Sequence, residues 1–92
     1  MKRHEVAGLK SMRRMFLHID TGFTRIEDTT GRLFRSLAEA KSEAVALIGE
    51  VAFAWSEDGK HLADFHVDIC NDAGMLVEIV PVQNLYRAYA AK

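Results

Sequence analysis

One long stretch of this sequence, Ser36 to Trp55, brings apolar residues back every three or four positions; in the segments flanking it they alternate instead. The first period belongs to an α-helix and the second to a β-strand half-buried on one face. One amphipathic helix between two strand blocks leaves few ways to bury apolar surface. The helix stripe has to lie on the single apolar face of a sheet. The expected fold is therefore α+β: a two-layer sandwich of order β-β-α-β-β, in which antiparallel hairpins pack on one helix.

The helix announces its own start. Ser36-Leu37-Ala38-Glu39 has the S-x-x-E form of a capping box, in which the serine oxygen accepts the amide three residues on and the glutamate reaches back. A helix is predicted from Leu37 to about Trp55, ended by the polar Ser56-Glu57-Asp58-Gly59. Its core stripe is Leu37, Ala40, Ala44, Leu47, Ile48, Val51 and Trp55. A thinner stripe of Ser42, Ala46, Gly49 and Phe53 lies off that face. Ala46, Gly49 and Phe53 are therefore candidates for an interface, with Phe53 as its anchor.

In the first strand block, Met15, Leu17 and Ile19 alternate with Phe16, His18 and Asp20. Thr21-Gly22 supplies a two-residue turn, after which Phe23–Asp28 returns with Asp20 facing Phe23 and Leu17 facing Ile26. Asp28-Thr29-Thr30-Gly31 is a second turn, and Arg32-Leu33-Phe34 either continues the sheet or forms a short bridge. In the second block, Phe65, Val67 and Ile69 share a face. A loop of Asp72, Ala73 and Gly74, with the glycine left-handed, pairs Asn71 with Met75. That register sets Ile69 opposite Val77, Val67 opposite Ile79 and Phe65 opposite Pro81, with every inward partner apolar. Pro81 ends the strand or sits at an edge. Residues 82–91 are compatible with a short helix docked by Leu85 and Tyr89.

The chain has 92 residues, 49% hydrophobic and 27% charged, which is one soluble globular domain. No run of apolar residues is long enough to span a bilayer, and no apolar stretch with a small-residue cleavage site follows the first basic residues. One cysteine makes no internal disulfide. These features point to the cytoplasm. Charge is spread unevenly: residues 1–14 carry Lys2, Arg3, Lys10, Arg13 and Arg14 against Glu5 alone, and residues 15–92 hold seven bases and twelve acids. The reading is a basic leader, 1–14, before a single domain, 15–92. Those five basic residues are the only candidates for contact with nucleic acid.

Nothing in the sequence carries a catalytic signature. His18, His66, Asp68 and Cys70 all point away from the expected core, and would converge if the strands bearing them were neighbours. Their spacing is strand alternation rather than a metal-ligand motif, so the reading is a polar, solvated sheet face with no metal and no cofactor. Asp68 and Glu78 are expected as cross-strand neighbours there, which means either an exposed surface or nearby Arg25 and Lys60 balancing them. The four turn glycines, Gly22, Gly31, Gly59 and Gly74, are isolated and form no phosphate-cradling loop.

Phe16, His18, Glu27, Asp28, Gly31, Leu37, Ala40, Glu43, Ala44, Phe65, Val67, Asp72, Gly74 and Leu76, in this order and spacing, resemble a family of small proteins carrying the label domain-of-unknown-function 6894. The family is frequent in rhizobia and related alphaproteobacteria. The resemblance covers about residues 13–81 and implies the fold; it implies no activity. The segment RSLAEAKSEAV is also similar to the antitoxin half of HicA/HicB-type toxin–antitoxin pairs. The expected function is that of a small, non-enzymatic, cytoplasmic interaction domain that self-associates as a homodimer or meets an unidentified protein partner. An antitoxin-like or nucleic-acid-linked regulator using the basic leader is the alternative. The acidic body opposes nucleic acid, and no membrane partner is expected.

Overall fold

The structure, a computed structural model, describes residues 11–57 and 64–84, with side chains along the helix described as far as Val51. Its elements run β1 (Arg13–Asp20), β2 (Arg25–Ile26), β3 (Arg32–Phe34), α1 (Leu37–Glu57), β4 (His66–Asn71) and β5 (Leu76–Pro81). Every strand pair is antiparallel. β1 and β4 lie side by side at the centre, and β5 flanks β4. The other edge of β1 is shared, by β3 near its start and by β2 near its end. One five-stranded sheet packed on one helix is the α+β arrangement that the two periodicities predict. The segment Arg32–Phe34 is a strand. β1 begins at Arg13, two residues ahead of the apolar alternation.

The helix starts where the capping box places it. Ser36 Oγ accepts the Glu39 amide at 3.1 Å, and the Ser36 carbonyl accepts the first helical bond, from Ala40. The Glu39 carboxylate reaches back one residue further than the motif requires, to the Arg35 amide at 2.9 Å. Ala40, Ala44 and Ile48 are fully buried against Met15, Leu17, Ile19, Phe34, Phe65, Val67, Ile69, Val80 and Val82. Leu37, Leu47 and Val51 flank that core as the stripe predicts, and Val45 joins them. The helix extends to Glu57, two residues past the expected end. Among the described residues no helix is long and apolar enough to cross a membrane.

Both hairpins correct the predicted registers. In the first, the two-residue loop is Gly22-Phe23, not Thr21-Gly22. Ile19 faces Ile26 and Asp20 faces Arg25, instead of Leu17 facing Ile26 and Asp20 facing Phe23. Gly22, at φ +91, takes the first central position of the turn. Thr21 decides the shift: its hydroxyl accepts the Phe23 and Thr24 amides, and its own amide bonds the Thr24 carbonyl. A slip of two residues preserves sidedness, so Ile26 stays on the face that was expected.

The second hairpin is changed more deeply. Its turn forms as predicted: Gly74 sits at φ +81, and the Asn71 amide bonds the Met75 carbonyl at 2.9 Å. A second irregularity then interrupts the ladder. Cys70 pairs with Leu76 but Ile69 pairs with Glu78, leaving Val77 as an extra residue. Beyond that bulge every side chain is on the opposite face from the one expected. Val67 faces Val80, not Ile79, and Val80 and Val82 are buried while Val77 and Ile79 are exposed. Asp68 faces Ile79, so Asp68 and Glu78 are not cross-strand neighbours. Of the predicted helix over 82–91, residues 85–91 lie outside the described residues; Val82 is a turn residue, and Gln83 and Asn84 are helical.

Candidate functional site

The face of the sheet turned away from α1 holds most of the chemistry-bearing side chains. Because β1 and β4 are neighbours, three rows cross it: Phe16 opposite Cys70, His18 opposite Asp68, and Asp20 opposite His66. β5 extends them with Leu76, Ile79 and Pro81, and β2 adds Arg25 beside Asp20. The face is divided, with charge on β2, β1 and β4 and exposed apolar side chains on β5.

Arg25 organises the charged part. Its Nη1 donates to Asp68 at 2.8 Å, its Nε donates to Glu27 at 2.7 Å, and Asp20 lies 3.6 Å away. The bond to Asp68, and after it the bond to Glu27, bind the guanidinium proton more tightly than usual, so this centre is a fixed positive charge. The second oxygen of Asp68 is buried and accepts no hydrogen bond. Nε2 of His66 is 3.5 Å from it, while Nδ1 of His66 lies 2.9 Å from the Asp64 carbonyl. A depression of about 450 Å³ lies beside this pair, bounded by Asp20, Asp64, His66, Ile79 and Pro81.

Between β2 and β3 the chain leaves the sheet, and Asp28 takes the place of a paired strand. Its carboxylate accepts the Leu17 amide of β1 at 3.1 Å and, within its own turn, the amides of Thr30 and Gly31 at 3.2 and 2.9 Å. Burial pushes the Asp28 carboxyl up, but the amides of Gly31, Leu17 and Thr30, helped by nearby His18, outweigh it and hold the group below its ordinary value. The Asp28 amide in turn donates to Nδ1 of His18 at 3.1 Å. A ring nitrogen that accepts carries no proton, so the neutral ring bears its hydrogen on Nε2. Gly31 completes the turn at φ +71, where a Cβ would come within 2.9 Å of both the Met15 carbonyl oxygen and the Phe16 ring. On the helix side of this detour the parted strands leave a cleft of about 320 Å³, floored by Leu17, Ile19, Phe34 and Leu47 and rimmed by Glu27, Asp28 and Arg32.

The sequence candidates are distributed as follows. His18, His66 and Asp68 come together, with Cys70 in the next row, where it is buried. Nδ1 of His18 is engaged by Asp28 and one Asp68 oxygen by Arg25. Among the described residues no group of three or more His, Cys, Asp or Glu is placed to hold a metal ion. On the helix, Ala46 is exposed and Gly49 half-buried; the Phe53 side chain lies outside the described residues. So do Lys2, Arg3 and Lys10, whereas Arg13 and Arg14 are exposed on β1 and pair with β3. Arg14 donates to the Thr30 carbonyl at 2.9 Å. Arg25 is paired with Asp68, one of the two alternatives expected for that carboxylate; Lys60 lies outside the described residues. Sequence reasoning missed Asp28 as a long-range staple. Its turn-forming spacing to Gly31 was legible, but nothing local marks the amide of Leu17 as its partner.

A family model described as a domain of unknown function (DUF6894) matches residues 14–83, and the chain belongs to that family. No curated protein and no solved structure matches it.

Proposed function

Membership of that family assigns no activity, and we propose on the chain's own geometry that it is a small, non-enzymatic, cytoplasmic interaction domain that works as a homodimer. The observation that carries this reading is the row of apolar side chains on β5. On β5, Leu76, Val77 and Ile79 are 52%, 42% and 49% exposed, and Met75 just ahead of the strand is 63% exposed; Leu76 and Ile79 share the face turned away from α1. Such a patch marks a surface that gains from being covered. A chain this small buries a modest share of its unfolded surface, which adds to the benefit of a mate.

The two sheet edges argue for contact through side chains rather than strand addition. Val82 bonds Phe65, so the alternating ladder turns Val80 and Glu78 towards β4 and leaves Ile79 to offer its peptide groups outward. Pro81 on one side has no N–H, and the Val77 bulge on the other bends the strand, both of which blunt an edge. The opposite edge is made of strands of two and three residues. A second copy laid over the outer face of β5 is the arrangement these features favour. The single cysteine, buried and free, fits a reducing compartment.

Light scattering coupled to size exclusion, on the full chain from about 10 to 500 μM, tests the reading; this range brackets a weak dimer. A dimer is expected, and Ile79→Lys with Leu76→Lys is expected to give a folded monomer. A wild-type chain that stays monomeric throughout, or a double variant that remains dimeric, overturns it.

A further inference from the structure

The contact between His18 and the Asp28 amide is one that a single proton reverses. We propose that His18 is a proton-operated latch on the loop of residues 27–31: the neutral ring holds the Asp28 amide, and the imidazolium releases it and turns Nδ1–H to Glu27. The neutral ring accepts from Asp28 N–H at 3.1 Å. Once Nδ1 is protonated, two N–H groups face each other, and the contact becomes repulsive. An acceptor is already in place, since Oε2 of Glu27 lies 3.6 Å from the same nitrogen.

Charged and aromatic groups face the ring. Asp68 lies directly opposite His18 on β4, and Glu27 and Asp28 face it from the loop. Asp20 precedes the turn on the same strand, and Phe16 stacks parallel to the ring with centroids 6.4 Å apart. The positive groups nearby are Arg25, already bound to Asp68 and Glu27, and His66 beyond Asp68. The Asp28 carboxylate keeps Leu17, Thr30 and Gly31 in either state, so the loop is not cast off. What moves is its leading pair, Glu27 and Asp28, which line the 320 Å³ cleft. Protonation of His18 therefore alters the rim of that cleft.

The test is amide and ring NMR on the full chain between pH 8 and pH 5, a range in which ordinary carboxylates stay ionised. The Asp28 amide proton is expected to move upfield with the same midpoint as the His18 ring. Its protection factor against solvent exchange is expected to fall by about fivefold or more, roughly the loss of one hydrogen bond. In His18→Asn, whose side-chain carbonyl accepts at every pH, the Asp28 amide is expected to stay unmoved. A wild-type Asp28 amide that does not follow the His18 ring, a ring that does not titrate in this range, or an equal shift in His18→Asn overturns the latch. The wild-type measurement alone decides the matter if the variant does not fold.

Discussion

Asp28 shows how one side chain can stand in for a strand. β1 needs a partner for the Leu17 amide where β2 has ended and β3 has not begun, and a buried amide left unpaired is costly. The carboxylate supplies that partner and gathers two further amides of its own turn. Because these bonds lower its pKa from the ordinary 3.8, the stability they add is fully present above the unfolded value and is lost as pH falls through the folded one. Asp28→Ala is expected to cost about 1–3 kcal/mol at pH 7, with the difference from wild type shrinking below about pH 4. Urea midpoints at pH 7, 4 and 2.5 check this; a difference that is the same at all three would contradict it.

At the scale of elements, the helix was legible, its apolar stripe matching the core from Leu37 to Val51 with Trp55 outside the described side chains, and β5 was not. Ser36, Glu39 and the alanine-rich stripe act locally, through caps and a repeating face, so spacing alone locates them. The inward residues of β4 were legible for the same reason. On β5 the sequence Leu76-Val77-Glu78-Ile79-Val80 offers an apolar residue to either face, so pattern does not choose between registers. The bulge at Val77 chooses, turning Val80 and Val82 inward and Ile79 outward. Val80→Ala should therefore cost about 2 kcal/mol and Ile79→Ala less than about 1 kcal/mol. Chemical denaturation of the two variants measures it, and the reverse order would place the bulge elsewhere.

For the whole molecule, the sheet has one face under α1 and another carrying both the Arg25 cluster and the β5 apolar row. If that row is covered by a second copy, folding and association are coupled. The Tm is then expected to rise with protein concentration over a hundredfold range, and to be concentration-independent in the Leu76→Lys, Ile79→Lys variant. Calorimetry checks both; a wild-type Tm that ignores concentration would count against coupled assembly. Added salt should leave the wild-type trend in place, because apolar contact is not screened as charge pairs are.

The amino-acid sequence by itself determined that one capped helix would lie on one sheet, that Met15, Leu17, Ile19, Phe65, Val67 and Ile69 would face it, and that Gly74 would take a left-handed turn. Each of these follows from interactions within a few residues or from a simple repeat. Only the tertiary structure decided the neighbourhood of β1 and β4, the displaced registers, and the convergence of Arg25, Asp28, His18 and Asp68. Those depend on which amide lacks a partner after the strands have met, a balance struck between residues far apart in the chain.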